Sequence, residues 1–187
     1  MIRPIRIYGD PVLHQRAAEV EVFDQELRDT VQDLFDTMDK APGVGLAAPQ
    51  IGVGLRVFVY SYPDDDDNPR RGVVINPTLS HTPLEPGDAD EELESEGCLS
   101  FPGERFALKR GDRVVIEGVD LDQNPVRIEA EGWFARIFQH EFDHLNGIIY
   151  VDKLSFHSRT EAFEVMEELG WNKPGVSWLP GTDNLED

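Results

Sequence analysis

The segment Gln139-His140-Glu141-Phe142-Asp143-His144 narrows the readings of this chain more than any other stretch. It sits in a run where Trp133, Phe134, Ile137, Phe138 and Leu145 recur at helical spacing, so Gly132 to Asn146 reads as a helix. Gly147 follows, at the position where a left-handed residue commonly ends a helix. Residues four apart on a helix share a face, with Cβ atoms about 6 Å apart. His140 and His144 can therefore bring two imidazole nitrogens to one metal ion. Glu141, one position on, projects beside that ion within reach of a water bound there. The alternative is that both histidines are surface or core residues with no ligand.

A two-histidine site needs a third protein ligand and keeps one position for water. His157 follows His144 by thirteen residues, but Leu154-Ser155-Phe156 reads as a turn leading away. Cys98 is the better candidate. It is the single cysteine of the chain, so no internal disulfide exists, and it is either an inert core residue or a ligating thiolate. It stands in Glu96-Gly97-Cys98-Leu99-Ser100, between an acidic loop and an extended segment, and Gly97 allows close backbone approach. A thiolate with two imidazoles suits zinc or ferrous iron rather than magnesium or calcium. As a ligand the cysteine is ionised at neutral pH.

Around these segments the pattern is that of an α+β chain: short antiparallel strands packed around a central HExxH-bearing helix, with an amphipathic N-terminal helix and a C-terminal helix. Asp24 to Lys40 carries Leu27, Val31, Leu34, Phe35 and Met38 at helical spacing, with Asp24 placed to cap the first turn. Gly43 to Gly54 is a glycine-rich loop. It lacks the Lys-Ser/Thr end of a phosphate-binding loop. Strands are expected at Leu55 to Tyr60, Val73 to Asn76, Phe106 to Leu108, Val114 to Val119 and Val126 to Ala130. Pro63 to Gly72 reads as a polar turn and His81 to Ser95 as an exposed acidic loop. A last helix is expected from about Thr160 to Leu169, stopped by Gly170. Residues 1–170 are read as one catalytic domain and 171–187 as a tail lying along it.

With 37 acidic against 17 basic residues the formal charge is −20, which argues against nonspecific binding to nucleic acid or an anionic membrane. No apolar stretch approaches the roughly 20 residues of a membrane span. The first residues show no signal-peptide pattern, so cytoplasmic residence is the expectation.

Three segments together resemble the signature motifs of the peptide deformylase family: Gly43-Val44-Gly45-Leu46-Ala47-Ala48-Pro49-Gln50, then Glu96-Gly97-Cys98-Leu99-Ser100, then Gln139 to His144. Their order and separation also fit, over roughly residues 5 to 155. The resemblance implies a hydrolase that removes the formyl group from the N-terminal methionine of new polypeptides and releases formate. It implies Cys98, His140 and His144 as metal ligands and Glu141 as general acid/base. It implies that Gln50 and the backbone N–H of Leu99 bind the oxyanion. The metal implied is Fe2+, with Zn2+, Ni2+ or Co2+ able to take its place, and the partners are N-formylmethionyl nascent peptides.

For such a substrate, Gly43 and Gly45 leave backbone free to pair with an extended peptide. Val44, Trp133 and Ile137, with the stem of Arg136 at the rim, are candidates for a methionine pocket, and equally for plain core. The resemblance suggests Arg105 near the bound peptide. Arg110 either pairs with a buried acid such as Asp143 or lies on the surface, and Glu96 can orient groups behind the ligands. Some relatives carry a basic C-terminal helix thought to dock on the ribosome. Here the segment from Ser158 to Asp187 holds only Arg159 and Lys173 against seven acids, so docking through it is not expected.

Overall fold

In a computed structural model of the protein, residues 1–63, 67–183 and 185 are described. They form a mixed α/β structure with antiparallel sheets. In chain order the elements are β1 (Ile5–Arg6), α1 (Gln25–Lys40), β2 (Gly45–Ala47), β3 (Val57–Pro63), β4 (Pro69–His81), β5 (Ser95–Cys98), β6 (Phe101–Ala107), β7 (Arg113–Val119), β8 (Pro125–Glu131), α2 (Gly132–Leu145), α3 (Phe156–Glu168) and β9 (Ser177–Trp178). The main sheet runs β2-β3-β4-β7-β8 with every neighbour antiparallel. β5 pairs with β6, and β1 with β9.

α1 forms where its apolar spacing demands. Leu27, Val31, Leu34 and Met38 are buried, and the Asp24 carboxylate accepts the Leu27 N–H at 3.1 Å as an N-cap. α2 lays a different stripe against the sheet. Phe134 and Phe138 pack with Phe58 and Tyr60 of β3, with ring centroids 5.1 to 6.0 Å apart. Gly147 closes α2 in the left-handed conformation, φ +74°. A Cβ there would stand 2.7 Å from the backbone of Gln15, so both strain and space require glycine.

Several elements differ from the sequence reading. The strand expected at Leu55 to Tyr60 is β3, shifted to Val57–Pro63, and the short strand at Val73 to Asn76 is the 13-residue β4. Cross-strand pairing from Val57↔Ile75 out to Pro63↔Pro69 carries the ladder into the polar segment. The ladder therefore takes in Pro63 and Pro69 to Gly72 of the expected turn, whose residues 64–66 lie outside the described residues. β6 begins at Phe101, ahead of the strand expected at Phe106, because it folds back on β5. β2 lies within the segment read as a loop, since its edge pairing to β3 gives strand geometry to glycine and alanine. α3 begins at Phe156, four residues before the expected start: Ser155 Oγ accepts the Ser158 N–H and caps it, so the turn at Leu154 to Phe156 is the helix entry.

Candidate metal centre

α2 and the β5–β6 hairpin meet where β2 closes the other side. His140 and His144 stand one turn apart on α2, and Cys98 ends β5. The Cys98 Sγ and one ring nitrogen from each histidine lie within 4.8 Å of one another. The His144 Nε2 is 3.2 Å from the His140 Nε2 and 3.3 Å from the Cys98 Sγ. A tetrahedral ion at ordinary bond lengths separates two nitrogens by about 3.3 Å and a sulfur from a nitrogen by about 3.6 Å. Those two separations thus match the edges of such a polyhedron to within a few tenths of an ångström. The donor set is soft, one sulfur and two imidazoles, as suits a transition metal.

The histidines are oriented from behind. Glu96 Oε1 lies 2.8 Å from His140 Nδ1, which leaves Nε2 facing the cluster. Glu96 is fixed in turn by Arg110, whose Nε and Nη2 donate to its two oxygens at 3.1 and 2.6 Å, and by Arg136 Nη1 at 3.0 Å. Burial alone would push the Glu96 carboxyl up, but the Arg110 guanidinium and His140 outweigh it and hold it well below the usual carboxylate range. Arg110 also donates to Asp143, which accepts from Lys153 Nζ at 2.9 Å. Of the two readings of Arg110, pairing with Asp143 is the one found. Arg136 does not simply lay its stem on the rim: it is buried, and its head turns inward to Glu96 and to the Leu108 carbonyl at 2.6 Å.

Glu141 receives opposite treatment. Its side chain is buried, and Oε2 is one of two side-chain atoms at this centre without a hydrogen-bond partner among the described residues, the other being His144 Nδ1. Burial pushes the carboxyl up to about 7, with the Glu96 charge adding to the rise and His140 opposing it. A carboxyl poised there both takes and gives protons at neutral pH. Gly45 makes room for it: a Cβ at that residue would stand 2.4 Å from Glu141 Oε1.

Twelve of the expected site residues line one cleft of about 160 Å³: Gly43, Val44, Gly45 and Gln50 on one side, Cys98, Leu99 and Arg105 on another, and Trp133, Arg136, Ile137, His140 and Glu141 along α2. His144 sits beneath, 1% exposed. Gln50 is locked, its Oε1 accepting the Ala47 N–H at 2.9 Å and its Nε2 donating to Ser100 Oγ at 3.2 Å, with Cys98 Sγ at 3.9 Å. Arg105 donates to the Ser95 carbonyl at 2.9 Å. A larger groove of about 880 Å³ borders the cleft only at Trp133 and holds neither Cys98 nor either histidine. Its size therefore says nothing about the chemistry.

Comparison with known proteins gives the family of the chain. The family model described as polypeptide deformylase matches residues 2–160. The chain belongs to the polypeptide deformylase family. These hydrolases remove the N-formyl group from nascent peptides and depend on a metal. A peptide deformylase of Rhodococcus opacus (strain B4) is 46% identical over 187 residues, covering 97% of this chain and 94% of the relative. The crystal structure of a peptide deformylase from Legionella pneumophila superposes with a TM-score of 0.77 at 38% identity, covering 91% of this chain and 96% of that one. A peptide deformylase from Synechococcus elongatus, solved in complex with actinonin, gives a TM-score of 0.74 at 36% identity over 92% of this chain and 91% of the other. In this deformylase the supports that the sequence reading missed are Gln139, Lys153 and the acid-facing head of Arg136. Gln139 clasps Gly111 through two bonds, accepting its N–H at 2.9 Å and donating to its carbonyl at 2.8 Å. For Arg136 a signal was present: it precedes His140 by four residues, so both project from one face of α2 and meet the same Glu96.

Proposed function

We propose that Cys98, His140 and His144 hold one divalent ion, Fe2+ natively, with Zn2+, Ni2+ or Co2+ able to substitute. When bound, the ion supplies Lewis-acid activation of water and of the formyl oxygen. The observation that carries this reading is the convergence of one sulfur and two imidazole nitrogens beside a buried carboxyl, that of Glu141, whose Oε2 has no hydrogen-bond partner among the described residues.

Around that ion the chain's own groups divide the work. Glu141 takes the proton of the attacking water and returns it to the departing amine, giving formate and a free N-terminus. The Gln50 amide and the Leu99 N–H donate to the oxygen on which charge develops, each good donor worth about 3–4 kcal/mol in the transition state. Gly43 and Gly45 present backbone to an extended peptide, and Val44, Trp133 and Ile137 form the apolar wall for the methionine side chain. Val44 and Trp133 are each more than two-fifths exposed, which supports a pocket open to a ligand rather than closed core. Arg136 closes the pocket through its buried pairing, and Arg105 stands where the peptide leaves. α2 is the central helix of the catalytic domain, residues 1–170, and residues 171–187 form its tail.

The substrates are N-formylmethionyl nascent peptides. No helix among the described residues is long and apolar enough to cross a membrane, and residence is assigned to the cytoplasm, where formylated chains are made. The acidic charge supports the absence of direct nucleic-acid binding and of ribosome docking through the tail. Salt-sensitive co-sedimentation with ribosomes that is abolished by neutralising Arg159 and Lys173 would refute that absence.

The test is the appearance of a free N-terminal amine from a formyl-Met peptide, with formate as the second product, and from its acetylated twin, with acetate as the second product, at equal concentration, using protein purified without oxygen and analysed for metals. Cleavage of the formyl peptide alone is expected, with one metal ion per chain. In Glu141→Ala the metal is kept and turnover falls by about 10²–10⁴-fold. Undiminished turnover in that variant removes the acid/base role.

A further inference from the structure

The segment that carries Cys98 and Leu99 is held from behind by the two ends of the chain. The Trp178 indole Nε1–H donates to the Leu99 carbonyl at 2.8 Å, and Trp178 is only 3% exposed. That carbonyl belongs to the same peptide group as the Ser100 N–H, which points at the Cys98 Sγ at 3.4 Å. One rigid, planar unit is therefore pinned at both edges, by an indole from the tail and by the sulfur of the centre. The next carbonyl, that of Ser100, accepts the Tyr8 N–H at 2.9 Å. The tail reaches this position through backbone pairing: Trp178 is opposite Ile5 in the β1–β9 ladder, and the Val176 carbonyl accepts the Ile7 N–H at 3.0 Å. Trp171 sets its ring edge-on to Phe101, 5.1 Å between centroids, beside the same segment.

We propose that Trp178 is a positioning residue for the metal centre. By holding the Leu99 carbonyl it sets the tilt of the Leu99–Ser100 peptide, and so aims the Ser100 N–H at the Cys98 sulfur. The same constraint fixes the angle of Leu99, whose own N–H is the donor assigned to the oxyanion. An N–H directed at a ligating sulfur draws charge from it and changes its bond to the metal, as outer partners of ligands do. This inference rests on the assignment of Cys98 as a ligand and extends it: the tail is part of the machinery that orients the sulfur.

The experiment uses the full chain with Trp178→Phe, which keeps a ring in the core and removes the donor. Both proteins are loaded with Co2+, and three quantities are read: the thiolate-to-cobalt charge-transfer band, the rate of cobalt loss to a chelator, and kcat and KM on a formyl-Met peptide. Expected are a displaced band, cobalt loss faster by about tenfold, and kcat lower by about tenfold with KM within about twofold. A purely structural role would lower the melting temperature and leave the band and the loss rate unchanged, and that result overturns the proposal. Should the variant fail to fold, hydrogen exchange of the Trp178 indole in the natural protein decides. Exchange as fast as that of the exposed Trp133 indole overturns the proposal, and strong protection supports it. A natural protein with no thiolate-to-cobalt band removes the ligand assignment and this inference with it, whereas an intact band in both proteins removes this inference alone.

Discussion

Replacing Gly45 by alanine tests the geometry of Glu141, the proposed general base, without substituting that residue. The added Cβ would lie 2.4 Å from Glu141 Oε1, 2.8 Å from Cδ and 2.9 Å from Cγ. Ordinary contact needs about 3.4 Å, so the carboxylate must retreat by about 1 Å, a misplacement that can cost 10²-fold in rate. Two stability effects oppose each other. Gly45 lies in strand β2, paired with Tyr60, and it is not among the glycines with positive φ, so alanine fits the backbone. Freed of the clash, the substitution would stabilise by about 0.4–1 kcal/mol through the unfolded chain. Overpacking against a buried side chain costs about 1–3 kcal/mol and wins. Gly45→Ala is therefore expected to be less stable by about 1–2 kcal/mol in denaturant unfolding. Its metal content stays normal and its kcat for formate release falls about a hundredfold. In a Glu141→Ala background all three clashing atoms are gone, so there Gly45→Ala becomes neutral or stabilising. Equal costs in both backgrounds, or full turnover in the single variant, would refute the reasoning, because the effect would then not pass through Glu141.

Three further outcomes follow from the centre. Cys98→Ser replaces the proposed soft ligand by a hard one and is expected to emerge from dialysis with metal content well below one ion per chain, whereas an inert buried cysteine would tolerate the change with full occupancy. Arg110→Met removes the cation that Glu96 and Asp143 share in the interior, and unfolding measurements should register a loss of about 3 kcal/mol, the low end for a broken buried pair because Glu96 keeps Arg136 and Asp143 keeps Lys153. A loss below 1 kcal/mol would show the network to be dispensable. Glu141→Gln probes pH. Folding raises this carboxyl from 4.5 to about 7, so between those values the folded metal-free protein binds more protons than the unfolded one and stability falls as pH rises. The glutamine variant should thus be more stable than the natural metal-free protein at pH 8, on the order of 3 kcal/mol, with the gain vanishing as pH drops toward 4.5. A gain independent of pH would show that burial does not act through this carboxyl.

How much of this was legible beforehand depends on the range of the interaction. α1 was readable because its apolar period and its Asp24 cap are local, and the close of α2 because Gly147 marks a backbone conformation that few other residues adopt. The start of β4 was not: Pro69 to Gly72 is polar, and it becomes strand only because β3 lies beside it and supplies partners from Tyr60 to Pro63. β2 was hidden for the same reason, as Gly45 has little strand preference of its own. The ionisable residues brought together at the cleft were legible as chemistry-bearing types at telling spacings. What no spacing revealed is which atoms face which. Arg136 looks like a stem at a pocket rim until Glu96 arrives from β5, and Trp178 looks like an idle aromatic in a tail until β9 pairs with β1.

The interior of this acidic protein treats its carboxylates in two ways, and the difference defines their roles. Glu96 is buried and ionised, because Arg110 and Arg136 converge on it and His140 Nδ1 meets it at 2.8 Å. Charge so compensated has little freedom to move a proton, and it serves to hold an imidazole in place. Glu141, one residue beyond that same histidine, is buried with an oxygen left unpaired and with glycine rather than a cation across from it. Its proton is held loosely enough to exchange near neutrality. Two carboxyls placed in environments that push their acidities apart are how one site obtains both a fixed charge and a mobile proton. A cation placed beside Glu141 would hold its carboxyl ionised, as Glu96 is held, and would take from the site the one buried carboxyl able to exchange a proton near neutrality.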